Sequence, residues 1–419
     1  MRLNITQFIA WLALCASGFP ARADDWPQFR GPTGQGVSAA KQAPLAWSEQ
    51  EGVTWRTPIP GQGWSSPVVY ARQVWLTTAI EAEGSLRAIC LDFATGEIQR
   101  DVEVFRRADL GRINAHNTHA SPTPVLDGDL VFVHFGSQGT ACLNTDGQVL
   151  WRNEGLKYDQ SHGPGASPIV WNDLLIVACD GVDRQFVAAL DKRTGRLRWQ
   201  RDRVGLPAYS TPLAVRHAGG DQIVSVGGGQ AIAYAPRTGE EIWKFRFEGY
   251  STVPRPVAAG GRVFICSGYE TPSLYAIDLD GQGDVTDTHL AWAARRGVPH
   301  NPSPLIVGRQ MFLLNDKGVL VCLNVAEGHE LWRKRLRGNF LASPLYAAGC
   351  IYATNDEGTT YVVDPAGQGR IVAENRLEGR VSASLAAVAG ALLIRTDQAL
   401  YRIDAPDQGV ITAAAEESR

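Results

Sequence analysis

Short apolar runs separated by polar turn residues recur along the whole chain. Between Ser167 and Arg201, three runs are almost entirely apolar, and the fourth, which starts at Arg196, alternates polar with apolar residues. Four runs of this length between turns predict a four-stranded antiparallel sheet. Unbroken apolar runs are typical of strands buried on both faces, whereas the alternating run indicates an outer strand that is half exposed to water.

This stretch is one copy of a repeat. Each copy opens with Ser-Pro or a related pair, and the clearest copies close with a Gly that precedes a Trp by four residues, as Gly195 precedes Trp199. The openings are Ser66-Pro67, Ser121-Pro122, Ser167-Pro168, Thr211-Pro212, Val253-Pro254, Ser303-Pro304, Ser343-Pro344 and Ser384-Leu385. A period of about forty residues is typical of a propeller, in which each repeat forms one blade.

Eight copies follow one another along the chain, over residues 66–105, 121–153, 167–201, 210–246, 252–295, 303–335, 343–376 and 382–404. The last copy has only three runs, and we predict its missing outer strand at Val53 to Thr57. A strand from the N-terminal side would close the ring and remove its exposed edge. The sequence therefore predicts an all-β fold, an eight-bladed β-propeller of four-stranded antiparallel blades over residues 47–404. Seven blades are the alternative.

The first residues have the features of a signal peptide. Within residues 1–23, Arg2 is followed by an apolar run from Ile5 to Phe19 and by a cleavage site that ends at Ala23. We therefore expect an exported protein, periplasmic or secreted, with a retained anchor as the alternative. No membrane span is expected, because the apolar run is short.

Two further segments lie outside the repeats. Residues 24–46 are predicted to form an N-terminal extension, in which Trp26 and Phe29 either plug one end of the ring or pack on its side. Residues 405–419 are predicted to form a polar C-terminal tail.

Charge and cysteine content narrow the choice of function. The net charge is −3 at pH 7 and Lys and Arg form no cluster, so we expect no nucleic-acid partner. Cys90, Cys142 and Cys322 occupy the same position in three different repeats. Each would therefore point into a separate blade, and we expect buried free thiols rather than disulfides. A monomer is expected.

Two motifs resemble a known family. Residues Ala189 to Trp199 satisfy A-x-D-x-x-T-G-x-x-x-W, the tryptophan-docking motif of quinoprotein dehydrogenase propellers, and residues 25–32 resemble the opening of secreted PQQ-binding-like β-propeller repeat proteins. The chain is also similar to the propeller lipoprotein of the outer-membrane β-barrel assembly machine. The resemblance implies an eight-bladed propeller with tryptophans that pack blade against blade, here Trp55, Trp151, Trp199, Trp243, Trp292 and Trp332.

The resemblance also implies a candidate cofactor. Quinoprotein dehydrogenases bind pyrroloquinoline quinone (PQQ) with calcium on the propeller axis, usually against a disulfide between adjacent cysteines. This chain has no Cys-Cys pair, so we expect no cofactor, with PQQ and calcium as the alternative. The acidic loop from Asp278 to His289 lacks the Glu of an EF-hand and is predicted to be a solvated hairpin turn.

The links between blades carry the candidate chemistry. In each link the chain returns from an outer strand to the next innermost strand along one face of the ring, and loops on a rigid scaffold are the usual place for binding residues. We predict a polar funnel lined by His116, Asn117, His119, Asp159, His162, Tyr209, Tyr250, Arg255, His300, Asn301 and Asn339. Three histidines and a carboxylate would suit Zn²⁺ or Cu²⁺, and the alternative is loop histidines bonded to backbone or water. His134 lies in a strand pattern, where a structural role is expected.

These observations predict an exported, non-catalytic binding or scaffold propeller, with a polar axial funnel for an unknown protein partner or small-molecule ligand. No catalytic residue is assigned, because the sequence contains neither a G-x-S-x-G motif nor a P-loop. The alternatives are a PQQ-dependent oxidoreductase acting on alcohols or sugars, and a metal- or carbohydrate-binding module.

Overall fold

Short β-strands are the main secondary structure of the chain. The computed structural model describes residues 25–406, so the predicted signal peptide and most of the predicted tail lie outside the described residues. Residues 25–406 contain 33 strands, numbered in chain order from β1 (Val53–Pro58), and one 3-10 helix, Glu81–Glu83. Within that range no helix has the length and apolar character needed to cross a membrane.

The first four blades run in chain order from the innermost to the outermost strand. Blade 1 contains β2 (Val68–Tyr70), β3 (Gln73–Ile80), β4 (Ser85–Asp92) and β5 (Ile98–Arg106). Blade 2 contains β6 (Val125–Asp127), β7 (Leu130–His134), β8 (Thr140–Asn144) and β9 (Val149–Asn153). Blade 3 contains β10 (Ile169–Trp171), β11 (Leu174–Asp180), β12 (Gln185–Asp191) and β13 (Leu197–Arg203). Blade 4 contains β14 (Leu213–His217), β15 (Gly220–Val226), β16 (Gln230–Tyr234) and β17 (Glu241–Arg246).

The last four blades follow the same order, except at the closure. Blade 5 contains β18 (Val257–Ala259), β19 (Arg262–Cys266), β20 (Leu274–Asp278) and β22 (Leu290–Ala294), and the short β21 (Gly283–Asp284) between β20 and β22 joins the sheet of blade 4. Blade 6 contains β23 (Leu305–Val307), β24 (Gln310–Leu314), β25 (Val319–Asn324) and β26 (Glu330–Arg335). Blade 7 contains β27 (Leu345–Ala347), β28 (Cys350–Thr354), β29 (Thr359–Asp364) and β30 (Arg370–Arg376). Blade 8 contains β31 (Ala386–Val388), β32 (Ala391–Arg395) and β33 (Ala399–Asp404).

The outer strand of blade 8 comes from the other end of the chain. β1 pairs antiparallel with β33, with Trp55 opposite Arg402 and Thr57 opposite Leu400. The sheet order β1-β33-β32-β31 completes eight blades, of which seven are four-stranded and blade 4 gains a fifth strand, β21. The predicted eight-bladed fold and its closing strand are thus confirmed, and the seven-bladed alternative is wrong.

The repeated Gly and Trp lock one blade onto the next. A side chain on Gly195 of blade 3 would lie 2.6 Å from Cδ2 of Trp151 in blade 2, so the indole packs directly on the glycine backbone. Gly195 also has φ of +69°, which non-glycine residues rarely adopt. The indole N–H of Trp151 donates to the carbonyl oxygen of Lys192 at 3.0 Å. This contact satisfies the polar end of a buried tryptophan.

The other docking tryptophans follow this scheme with variations. Trp55, Trp199 and Trp292 donate to carbonyl oxygens of the next blade at 3.0, 2.8 and 3.2 Å, and Trp332 packs on Gly369. Trp243 instead donates to Gln222 of its own blade at 2.9 Å. The docking role of the motif is therefore architectural.

The acidic loop of blade 5 is not a simple hairpin turn. β21 lies within it and pairs in parallel with β17 of blade 4, which gives that blade a fifth strand. Asp284 binds Arg246 at 2.6 Å across the two blades. The loop thus takes the place of the glycine contact that Trp243 lacks.

Apolar clusters lie between successive blades and form the core. One of them joins Phe132, Cys142 and Trp151 of blade 2 to Leu175 and Cys179 of blade 3. All six described cysteines are free, as predicted. Burial raises the pKa of the Cys142 thiol to about 12, which keeps it protonated and unreactive.

Residues 25–46 close one end of the central channel. Trp26 exchanges two backbone hydrogen bonds of 2.8 Å with Val69 of blade 1, and Leu126 of blade 2 donates to Pro27 at 2.7 Å. On the far side, Tyr346 of blade 7 donates to Gly36 at 2.8 Å. The extension therefore spans the ring from one side to the other, and we call residues 25–46 the plug.

Two buried arginines fasten the plug. Arg255 of blade 5 donates to the carbonyl oxygen of Phe29 at 2.6 Å and to that of Pro212 at 3.1 Å. Arg30 of the plug donates in return to the carbonyl oxygen of Pro304 at 2.7 Å. Burial lowers the pKa of each guanidinium to about 9, and each still carries its charge at neutral pH.

Candidate functional site

A ring of hydroxyl groups surrounds the axis at the end opposite the plug. Each blade supplies one residue, which directly precedes a Pro (Leu385 in blade 8), and seven of the eight are Ser or Thr: Ser66, Thr123, Ser167, Thr211, Ser303, Ser343 and Ser384. We call these seven residues the hydroxyl ring. In most blades the backbone N–H of one member donates to the hydroxyl of the next, as Thr123 donates to Ser167 at 2.9 Å and Ser384 to Ser66 at 3.1 Å.

The hydroxyl ring corrects two repeat boundaries. In blade 2 the ring member is Thr123, two residues after the predicted Ser121, and in blade 5 the position belongs to Arg255 rather than Val253. Both blades have two X-Pro pairs two residues apart. Side chains two apart on an extended chain point the same way, so the pattern alone could not separate them.

Within the described residues, the hydroxyl groups of the hydroxyl ring act only as hydrogen-bond acceptors. Each hydroxyl receives one backbone N–H at 2.9 to 3.1 Å, from residues 66, 123, 167, 255, 303, 343 and 384. Among the described residues, none of the seven donates its own hydrogen to a protein acceptor. Because a hydroxyl has one donor hydrogen besides its acceptor lone pairs, seven donors remain available beside the axis.

A second ring lies two residues earlier in each blade. Its members also face the axis, and they differ in chemistry: Trp64, Ser121, Gly165, Tyr209, Val253, Asn301, Leu341 and Ser382. We call these residues the variable ring. Gly165 leaves room for its neighbour, because a side chain there would lie 2.8 Å from Cβ of Tyr209.

The two rings form the wall of an open funnel. Its floor is Phe29, which the plug carries to the axis, and its mouth is made by Asn114, His116, Asn117, His162, Ser251, Tyr269 and His300. The cavity measures about 470 Å³, within the range of small-molecule sites. One end of the channel is thus plugged and the other is accessible.

Six of the predicted funnel residues line this cavity: His116, Asn117, His162, Tyr209, His300 and Asn301. They come from the links that enter blades 2, 3, 4 and 6. The mouth residues hold one another: the Nδ1 atom of His162 lies 2.9 Å from the hydroxyl of Tyr209, and the amide of Asn117 donates to the carbonyl oxygen of His162 at 2.7 Å. Burial raises the pKa of Tyr209, so its hydroxyl stays protonated.

The other five predicted residues lie elsewhere. Arg255 turns away from the funnel to hold the plug, where it donates to the carbonyl oxygens of Pro212 and Phe29. His119 is buried, and that burial lowers its pKa. Tyr250 packs behind Tyr269, with ring centroids 5.7 Å apart.

Asp159 and Asn339 belong to loop contacts on the same face. The carbonyl oxygen of Asp159 accepts the N–H of Val182 at 2.8 Å. The side-chain oxygen of Asn339 accepts a hydrogen bond from Lys317 at 3.3 Å. Neither residue lines the funnel.

The funnel lining does not suit PQQ with a metal ion. No Asp, Glu, Lys or Arg occurs among the residues that line it. Calcium requires oxygen ligands that usually include carboxylates, and a polycarboxylate such as PQQ requires cationic partners for its charges. The three funnel histidines do not form a metal site either, since residues 25–406 contain no group of three or more His, Cys, Asp or Glu placed to hold a metal ion.

Comparison with known proteins identifies the family. The sequence model of the family described as the outer membrane protein assembly factor BamB matches residues 37–181, 102–289 and 183–411. The chain belongs to the BamB family. The matches overlap, as expected when repeats align in more than one register, and together they cover most of the chain. BamB of Burkholderia pseudomallei (strain K96243) is 25% identical over 283 residues, which are 65% of this chain and 69% of that protein.

Solved structures share the fold of this BamB-family propeller. The crystal structure of BamB from Moraxella catarrhalis superposes with a TM-score of 0.61 at 15% identity, over 85% of this chain and 98% of that one. A europium-containing methanol dehydrogenase gives 0.67 at 11% identity, over 90% and 91% of the two chains. A quinohemoprotein alcohol dehydrogenase from Pseudomonas putida HK5 gives 0.65 at 13% identity, over 92% and 80%. At these identities the likeness concerns the fold alone.

Proposed function

We propose that this chain is an exported, non-catalytic scaffold propeller that binds a partner protein in outer-membrane protein assembly. Its membership of the BamB family supports that process, and residues 1–23 support export. The absence of charged side chains from the described funnel lining argues against redox catalysis with PQQ. The proposal therefore depends on a surface that fits a protein.

One exposed apolar segment carries this proposal. The link from blade 3 to blade 4 presents Val204, which is 93% exposed, and Leu206, which is 51% exposed, on the funnel face. Exposed apolar side chains that lie together are typical of interaction sites. Val182 of the adjacent loop, 48% exposed, extends the surface.

The backbone beneath this segment is fixed. Leu206 exchanges two backbone hydrogen bonds of 3.2 Å with Gly228 of blade 4, and Ser251 of the next link donates to Pro207 at 2.8 Å. The preceding residue, Arg203, binds Asp180 through Nε and Oδ1 at 2.8 Å in the buried core. A partner would meet a preorganised surface, which lowers the entropic cost of binding.

Site-specific photocrosslinking in the native bacterium tests the proposal. A photoreactive phenylalanine analogue in place of Val204 is expected to crosslink a component of the outer-membrane assembly machinery, identified by mass spectrometry. Leu197, an exposed apolar residue of the outer strand of blade 3, is the matched control and should give no such product. Equal crosslinking at both positions, or none at Val204, would contradict the docking surface.

A titration separates this function from the dehydrogenase alternative. Purified protein mixed with PQQ and Ca²⁺ is expected to give no cofactor absorbance shift and no dye reduction with alcohols or sugars. Saturable PQQ binding with turnover would favour the oxidoreductase instead.

A further inference from the structure

The funnel has hydrogen-bond donors that the protein leaves unused. The hydroxyl ring contributes seven, and the side-chain oxygen of Ser382 in the variable ring is buried with no partner among the described residues. Buried polar groups are normally bonded to protein, water or a ligand. So many free donors around one cavity favour a ligand that has many oxygen atoms.

The arrangement of the donors excludes a single small ion as the natural occupant. Each hydroxyl is held beside the neighbouring blade by the N–H it accepts, so the hydroxyls are distributed around the whole circumference. An ion at the centre would contact few of them. A ring-shaped molecule with hydroxyl groups on its periphery would reach several at once.

Aromatic surfaces accompany these donors. Phe29 forms the floor, Trp64 and Tyr209 belong to the variable ring, and Tyr269 lies at the mouth. An aromatic face binds apolar C–H groups, while the polar tip of Tyr or Trp stays available for hydrogen bonds. A molecule with an apolar C–H face and polar edges fits this combination.

The lack of charged side chains in the funnel lining restricts the class of ligand further. Because the lining has no Asp, Glu, Lys or Arg, a charged ligand would lose its hydration without gaining an ionic partner. Arg395 and Asp316 lie next to the lining, but they are bonded within the wall, to Ser65 at 2.7 Å and to the N–H of His300 at 2.6 Å. The funnel therefore favours an uncharged ligand.

We propose that the axial funnel binds a neutral saccharide, whose sugar ring lies over Phe29 and whose hydroxyl groups accept from the hydroxyl ring. This site goes beyond partner docking, because it uses the axis, whereas Val204 and Leu206 lie on the link outside the funnel lining. The lining supplies no carboxylate, the group that glycoside hydrolysis usually requires, so we expect the sugar to be bound without being cleaved.

Saturation-transfer difference NMR on the full-length protein tests the proposal. The probes are maltose, cellobiose and N,N′-diacetylchitobiose, with glucuronic acid and glucosamine as charged counterparts. We expect saturation transfer to at least one neutral disaccharide and none to the charged sugars. Trp64→Ala is expected to weaken the bound sugar about tenfold, measured by calorimetry, and Ser382→Val to weaken it by a smaller factor.

Two control variants should leave sugar binding unchanged. Trp171→Ala removes a half-buried tryptophan from the plugged end and should leave sugar affinity unchanged. The double variant Val182→Asp/Leu206→Asp, with the photoreactive analogue at position 204, should abolish partner crosslinking and keep sugar binding, so the two functions fail separately. Absence of saturation transfer to every neutral probe, equal binding of the charged sugars, or full affinity in Trp64→Ala would overturn the saccharide site.

Discussion

The two ends of the central channel use one scaffold in opposite ways. At the plugged end, Arg30 and Arg255 direct their donors to carbonyl oxygens, and the backbone of the plug pairs with strands on both sides of the ring. At the open end, the hydroxyl ring accepts backbone N–H groups and leaves its own donors unused. Satisfied polar groups stabilise the fold, whereas unsatisfied ones are available for binding.

Blade 5 shows how the two ends are connected. Its ring position holds Arg255 in place of a hydroxyl, and the backbone N–H of that residue still donates to Ser303 at 3.0 Å. The backbone thus keeps the hydrogen bond to blade 6, while the side chain serves the other end of the channel. One repeat position therefore has a constant structural part, the N–H, and a variable part, the side chain.

Removal of the plug is the strongest test of the difference between the plugged end and the open end of the channel. Deleting residues 24–44 removes the buried Trp26 and Arg30 and leaves Arg255 without its acceptors in the plug, so that only the carbonyl oxygen of Pro212 remains. We expect a loss on the order of 5 kcal/mol in the free energy of unfolding, measured by urea denaturation. Deletion of residues 407–419 is the control and should have little effect.

The substitution Arg255→Met tests the same contact if the truncated chain does not fold, and it should lower the free energy of unfolding by about 3 kcal/mol. Unchanged stability in the deletion variant and in Arg255→Met would mean that the plug is not part of the fold.

Loss of the buried ion pair between Asp180 and Arg203 tests how much this pair stabilises the open end of the channel. Asp180→Ala leaves the guanidinium of Arg203 buried without its counter-ion, and we expect a cost of about 3–5 kcal/mol, read from urea unfolding. The double variant Asp180→Leu/Arg203→Met should cost less, because it removes both charges. A single variant as stable as the native chain would disprove the buried pairing.

Acid should weaken blade 2 through His134, which lies in β7. This imidazole is fully buried, 2.8 Å from the hydroxyl of Thr140, and burial lowers its pKa to about 3. In the unfolded chain its pKa is about 6.5, so below that pH the unfolded state takes up a proton that the folded state does not. Between pH 6.5 and 5 this should cost about 2 kcal/mol of stability, with the loss continuing towards pH 3.

The variant His134→Gln isolates that contribution. Urea unfolding at pH 7.5 and pH 5 should show a smaller stability loss on acidification for the variant than for the native chain. An identical loss in both would mean that His134 does not control the acid sensitivity.

A single member of the hydroxyl ring should have the smallest effect. Ser343→Ala removes the acceptor for the N–H of Ser303, a bond of 3.0 Å, and should cost about 1 kcal/mol in thermal or urea unfolding. Ser382→Ala removes a hydroxyl with no partner among the described residues and should cost close to nothing. Equal losses would show that the two rings do not differ in their structural role.

Features that recur in many repeats could be predicted from the sequence, and features that depend on contacts outside the repeat could not. The blades, the closing strand at Trp55 and the docking of Trp151 on the next blade followed from a pattern present in many copies. Arg255 and His119 were misplaced because they lie in the same links as the true lining residues. Their burial depends on the plug and on neighbouring loops, which no single repeat encodes.

The hydroxyl ring was hidden in the pattern itself. Ser or Thr marks the start of most repeats in the sequence. Only the hydrogen bonds from backbone N–H groups of neighbouring blades show that these residues form a ring. The plug was partly predicted, from Trp26 and Phe29. Its reach across the ring depends on contacts with blades that are hundreds of residues away in sequence.

The closing strand has a consequence for the order of biogenesis. Val53 pairs with Ile403, so the first strand to emerge from synthesis or secretion finds its partner only when the last strand arrives. Until then the nascent chain carries two unpaired sheet edges, which are the surfaces most prone to aggregation. Because β1 and β33 can pair only after both have been made, we expect closure of the ring to be a late folding step.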